Sequence, residues 1–255
     1  MCGRFTLHSA QLERWLERNL AFRLRTPWVP RYNLAPTDQA LVAPNDGLHE
    51  ARSMRWGLLS PWTRGSAGGR PLINARRETL AEKPAFRDAL ATRRCLVIAD
   101  GYFEWQARER GPKQPHYIRL PGGEPFAFAG LWARERLGET DAPVESCAIV
   151  TCDADGPLRA IHSRMPVALP RERWMAWLDP QPLAPDASLP ILEALAGDAF
   201  EAIPISTRVN HIEDDDPAVL VPLSLDGSDA NVAAPAARPN GRQRRPRDED
   251  HPRLF

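Results

Sequence analysis

Lysine is almost absent from this 255-residue sequence: Lys83 and Lys113 are the only two, and arginine supplies every other basic side chain. Net charge is absent as well, with 33 basic against 33 acidic residues, a balance that argues neither for nor against a nucleic-acid partner. No apolar run approaches the ~20 residues of a membrane span, and none of signal-peptide length follows Met1. The expectation is a soluble cytoplasmic protein with no membrane partner. Cysteine is scarce, and Cys2, Cys95, Cys147 and Cys152 would stay reduced in that compartment. Cys147 and Cys152 stand five apart in the strand-like ESCAIVTCD and so point to opposite faces, a poor metal pair. No metal and no cofactor is expected. The glycine-rich stretch 65–69 reads as a flexible loop, and neither a GxGxxG nor a Walker pattern follows it.

The charge that is present is unevenly placed. Residues 1–100 carry 16 basic and 9 acidic side chains, and the remainder carries 17 and 24. A positive face built from the first hundred residues would attract phosphates locally. The length suits one main domain, 1–225, followed by a tail, 226–255, rich in arginine, proline and alanine and with little to bury.

The opening residues, Met1 Cys2 Gly3 Arg4 Phe5, are the chemical focus. If Met1 is removed, Cys2 carries a free α-amine beside its thiol, groups that titrate near ~8 and ~8.5 when unperturbed. An aldehyde attacked by the amine and then by the thiol closes an unstrained five-membered thiazolidine. Further along, Ser9 is placed to cap a helix whose apolar residues Leu12, Trp15, Leu16 and Leu20 recur at helical spacing. Strand-like runs follow near 40–43 and 50–59. A helix is expected up to about Arg93 with Pro84 as an internal interruption, then a buried strand at Cys95–Ala99, a turn at Asp100 Gly101 and a second strand at Tyr102–Trp105. Further strands are expected near 116–120, 126–132, 145–152 and 201–205, and helices near 171–178 and 190–197.

Four polar residues stand where packing alone would not ask for them. Glu104 lies between Phe103 and Trp105, where a carboxyl is either an ion-pair partner or a general acid–base group whose pKa the apolar bulk would raise. His162 follows a loop, with Arg164 on the same side of an extended stretch. Asn74 precedes Arg76 and Arg77, which would bind phosphates while its amide holds a polar group; a turn former or helix cap is the alternative. Arg4 would lie beside any electrophile captured at Cys2. Exposed tryptophans beside arginines suit single-stranded nucleic acid, and Trp56 and Trp62 are candidates for base stacking, with core packing as the alternative.

MCGRF, RYNLAPT, RWGLLSPW, INARRET, RCLVIADGYFEW, FAGLW and HSRMPVAL, in that order, closely resemble the SOS-response-associated peptidase (SRAP) family over residues 2–222. The resemblance implies an α+β fold: a mainly antiparallel, barrel-like sheet flanked by helices, one domain with a basic groove. It implies a sensor of abasic sites in single-stranded DNA that binds the ring-opened aldehyde covalently through Cys2, and it allows peptidase and lyase activity. Cys2, Asn74, Glu104 and His162 match the family's active site; Arg4, Arg76 and Arg164 match its DNA-contacting arginines. A monomer is expected. Two other readings remain at this point. One is an N-terminal-nucleophile amidohydrolase such as a glutamine amidotransferase, which also begins Met-Cys-Gly. The other is a DNA-binding module with no catalysis.

Overall fold

A computed structural model describes residues 2–59, 71–136 and 142–223. Trp62, the glycine-rich stretch and the tail lie outside the described residues. The strands in order are β1 (Arg4–Leu7), β2 (Arg23–Leu24), β3 (Arg31–Leu34), β4 (Gln39–Pro44), β5 (Glu50–Trp56), β6 (Asn74–Arg76), β7 (Arg94–Ala99), β8 (Gly101–Gln106), β9 (Gln114–Arg119), β10 (Phe126–Glu135), β11 (Val144–Asp153), β12 (Arg164–Pro166) and β13 (Glu201–Pro204). The helices are α1 (Leu12–Leu20), α2 (Pro84–Thr92), α3 (Trp174–Trp177) and α4 (Pro185–Ile191).

Strands β5, β4, β7, β10 and β11 form a closed barrel. Four of its seams are antiparallel, and the fifth is a parallel pairing of β11 with β5 through Ser146↔Arg55 and Cys147↔Trp56. Closure leaves this set without the unpaired edges of an open sheet. Every residue of β7 is buried, the pattern of a strand covered on both faces, which explains why it reads as an unbroken apolar run. The α+β, barrel-like expectation is met.

A second, five-stranded sheet in the order β13-β9-β8-β1-β3 packs beside the barrel. Phe5 from β1 meets Trp56 edge-on at 5.0 Å, and Tyr102 from β8 meets Phe128 at 5.9 Å, so one face of this sheet closes the main core. Its other face carries a small cluster of Phe103, Tyr117, Ile205 and Val209.

Local expectations change in four places. Ser9 does not cap α1: the N-cap is Gln11, without a side-chain bond, and the backbone N–H of Ser9 donates to Asp100 Oδ2 at 2.9 Å. Pro84 does not interrupt a helix but opens α2, where its missing N–H leaves no bond unmade. Asp100 Gly101 is not a hairpin turn. There the chain passes from the barrel (β7) to the second sheet (β8), and Asp100 seals the crossing by accepting from Thr6 Oγ1 at 2.5 Å and from the backbone N–H of His8 at 2.6 Å. Gly101 is required because a Cβ there would lie 2.2 Å from the Tyr117 ring. Pro185 and Pro190 shift the last helix upstream of the expected 190–197, to Pro185–Ile191.

Candidate active site at the amino-terminal strand

Strand β1 is antiparallel to β8 with Arg4 opposite Phe103. Continued toward the amino terminus, that register carries the chain to Glu104 and brings Cys2 to the seam between the sheet and the barrel. Cys2 is fully buried, and its thiol points toward the Arg4 carbonyl at 3.9 Å. Burial, and then the negative charge of Glu104, push the thiol far above its ordinary value. It is therefore held as the neutral S–H.

The opposite wall comes from the barrel. Strand β6 runs parallel to β11 with Asn74 beside Ile149, and Asn74 Nδ2 donates to the Cys2 carbonyl at 2.8 Å. Asn74 Oδ1 is buried and takes no hydrogen bond among the described residues. Just upstream, the Ile73 carbonyl accepts from Trp56 Nε1 at 3.0 Å and from the Ile149 N–H at 3.0 Å. Trp56 is completely buried in the core, with no ring face open to a base, so the stacking assignment is corrected. Its indole instead fixes the residue before Asn74.

Glu104 is buried, and its pKa is raised by that burial, with the chain's amino terminus and then His162 drawing it partly back. The cause differs from the one read in the sequence. Side chains alternate along β8, so Phe103 and Trp105 belong to the outer cluster, whereas Glu104 shares its face with Tyr102 and looks into the core. His162 sits on the loop before β12. Its Nδ1 accepts from the Arg164 backbone N–H at 2.9 Å, which in the neutral ring leaves the proton on Nε2. Gln106, at the end of β8, donates to the Ala160 carbonyl at 3.1 Å and ties the His162 loop to the strand that carries Glu104.

The structure thus brings Cys2, Asn74, Glu104 and His162 to one place. The arginines divide. Arg76 is exposed, with its guanidinium unpartnered among the described residues. Arg77 turns away to the Leu192 carbonyl at 3.3 Å. Arg164 is committed to Glu78 at 3.0 Å, Asp153 at 2.7 Å and the Thr151 carbonyl at 2.8 Å. Arg4 is half-buried and directed to Asn33 Oδ1 at 2.9 Å and the Val209 carbonyl at 3.0 Å.

Asn33 was missed in the sequence although it lies in RYNLAPT. Fully buried, it accepts from Arg4 and donates to the carbonyls of His211 at 3.0 Å and Asp214 at 2.9 Å. The available signal was an amide alternating with the core-facing Leu34 in a short strand, and so set on the face opposite the barrel. No group of three or more His, Cys, Asp or Glu among the described residues is placed to hold a metal ion. No helix among them is long and apolar enough to cross a membrane.

Fold and site together define an α+β barrel protein whose candidate reactive centre is a buried cysteine at the head of its first strand, faced by an amide, a carboxyl and an imidazole. Residues 1–212 match the family described as SOS response associated peptidase (SRAP), and the chain belongs to that family. It is similar to the abasic site processing protein YoqW of Bacillus subtilis (strain 168), 36% identical over 222 residues that cover 86% of this chain and 99% of the relative. It is also similar to the abasic site processing protein YedK of Escherichia coli (strain K12), 30% identical over 233 residues that cover 88% and 100%. A crystal structure of a protein from Bacteroides thetaiotaomicron superposes with a TM-score of 0.75 at 23% identity, covering 86% of this chain and 98% of that one, a likeness of fold.

Proposed function

We propose that this protein captures abasic sites in single-stranded DNA by forming a thiazolidine between Cys2 and the ring-opened sugar aldehyde. The observation that carries the reading is the grip on Cys2: Asn74 holds its carbonyl while Glu104 lies close enough to raise its thiol. Removal of Met1 frees the α-amine, and it is the only peptidase step the reading requires.

The unprotonated amine adds to the aldehyde carbon and gives a carbinolamine. Glu104, protonated more readily than an exposed carboxyl, donates a proton to the departing hydroxyl, and one water leaves. The thiol sulfur then bonds to the iminium carbon, whose C=N electrons return to the nitrogen, and the thiol proton passes to the Glu104 carboxylate and restores the acid. A neutral thiol suits this order, since it stays idle until the imine forms beside it. The His162 imidazole stands beside Glu104, placed to steady a sugar or phosphate oxygen, and Asn74 Oδ1 offers an acceptor for a ligand hydroxyl. The working form is a monomer acting inside the cell on DNA. Family membership sets aside the amidohydrolase reading.

The test incubates purified protein with a single strand carrying one abasic site and follows it by denaturing gel and intact mass spectrometry. The expected product is the mass of protein lacking Met1 plus DNA minus one water, and Cys2→Ala should lose it entirely while keeping non-covalent binding. A heat-stable adduct that persists in Cys2→Ala would show that another group is the nucleophile.

A further inference from the structure

Three unpaired arginines converge away from Cys2. Helix α1 carries Glu13, Arg14, Glu17 and Arg18 on its exposed arc, and at 100° per residue the two acids fall on one flank and the two arginines on the other. This places like charges at i,i+4 in both pairs, which costs helix stability where alternation would have gained it. The arginine flank borders Trp15 and Asn19, and together with Arg171 it lines a groove of about 470 Å³ against the Gly122 Gly123 turn. Arg14, Arg18 and Arg171 are exposed, and their guanidiniums have no hydrogen-bond or ion-pair partner among the described residues, unlike those of Arg4, Arg77 and Arg164. Trp15 is half-buried beside them, its ring tilted on Trp174 at 5.4 Å. Asn19 Oδ1, on the same wall, is buried without a partner. Glu124 is the one acid lining this groove.

We infer that this groove binds the sugar–phosphate backbone of the single strand that continues from the captured lesion, with Trp15 offering a stacking edge and Asn19 an acceptor for a base. The inference rests on the function proposed above and extends its DNA path. Planar guanidiniums suit phosphate oxygens, and an aromatic between them suits unpaired bases. The span fits: Ser9, on the groove wall, is seven residues from Cys2, so the chain separating groove and nucleophile reaches at most ~25 Å.

The test uses two single strands with a central abasic site, one of about 30 nucleotides and one of about five, since stacked nucleotides rise about 3.4 Å each and the short strand ends before the groove. The triple variant Arg14→Ala/Arg18→Ala/Arg171→Ala should bind the long strand roughly tenfold or more weaker, with a salt slope flattened by about 2 for three lost phosphate contacts. Its adduct yield on the short strand should match wild type, which also reports an intact fold and site. Glu124→Gln should bind the long strand more tightly, a gain that damage to the fold does not produce. Unchanged affinity and salt slope in the triple variant would overturn the groove while leaving the capture reaction standing. Failure of the wild type to form an adduct with either strand would overturn both.

Discussion

At Glu104, burial against the core keeps a carboxyl protonated more readily than its exposed counterparts. The folded state therefore binds this proton more tightly than the unfolded chain does. The resulting stabilisation is complete below the unfolded value of about 4.3 and is lost as pH rises through the elevated folded value. Glu104→Gln keeps the shape and removes the ionisation. The variant should melt a few degrees above wild type at pH 8 and level with it near pH 4, by scanning calorimetry at both pH values. Its crosslinking should slow by ~10²-fold or more, the usual worth of a positioned acid–base group. A melting difference independent of pH would trace the change to packing. Asn33 and Trp56 teach the complementary lesson, because each acts on the site through a neighbour's backbone or side chain and touches no reacting atom.

Two short helices depend on one side chain from a strand. Arg94, the first residue of β7, is completely buried, yet no carboxylate among the described residues pairs with it. Its guanidinium donates to the carbonyls of Leu90 at 3.1 Å and Ala91 at 2.6 Å in α2, to Trp177 at 3.0 Å in α3, and to Asp179 and Gln181 beyond it. Both helices thus end on one cation, which satisfies carbonyls that their termini leave open and complements both dipoles. Burial lowers its pKa, against the pull of Asp179. Arg94→Met should cost about 3 kcal/mol or more in urea unfolding, since several buried carbonyls lose their donor at once. Arg94→Lys should recover only part, because an ammonium lacks the planar fork. A loss below about 1 kcal/mol in the methionine variant would show that water replaces the guanidinium.

On the scale of the molecule, β11 is the strand on which the others converge. It bonds β10 and β12 antiparallel and β5 and β6 parallel, so it closes the barrel and also carries the strand with Asn74. Opening it requires breaking the closure, and its central amides, Ala148 to Thr151, should exchange hydrogen only through global unfolding. Exchange there faster than in β8 and β9 would mean that the second sheet, and not the barrel, is the last part to open. Much of this was legible in the chain. The identity and order of the candidate site residues, the apolar run of β7 and the α1 spacing are local properties, written in residue type and period. Other features depend on distant partners. Trp56 is a core residue because Phe5 and Ile73 meet it, and Arg164 is neutralised because Glu78 and Asp153 arrive from other elements. Asp100 Gly101 crosses between sheets because Thr6 in β1 and His8 just beyond it, each more than ninety residues earlier, supply its donors. Exposure and pairing are properties of contacts, so the sequence determined which groups could react, and only the tertiary structure decided which arginines and tryptophans remain free to meet DNA.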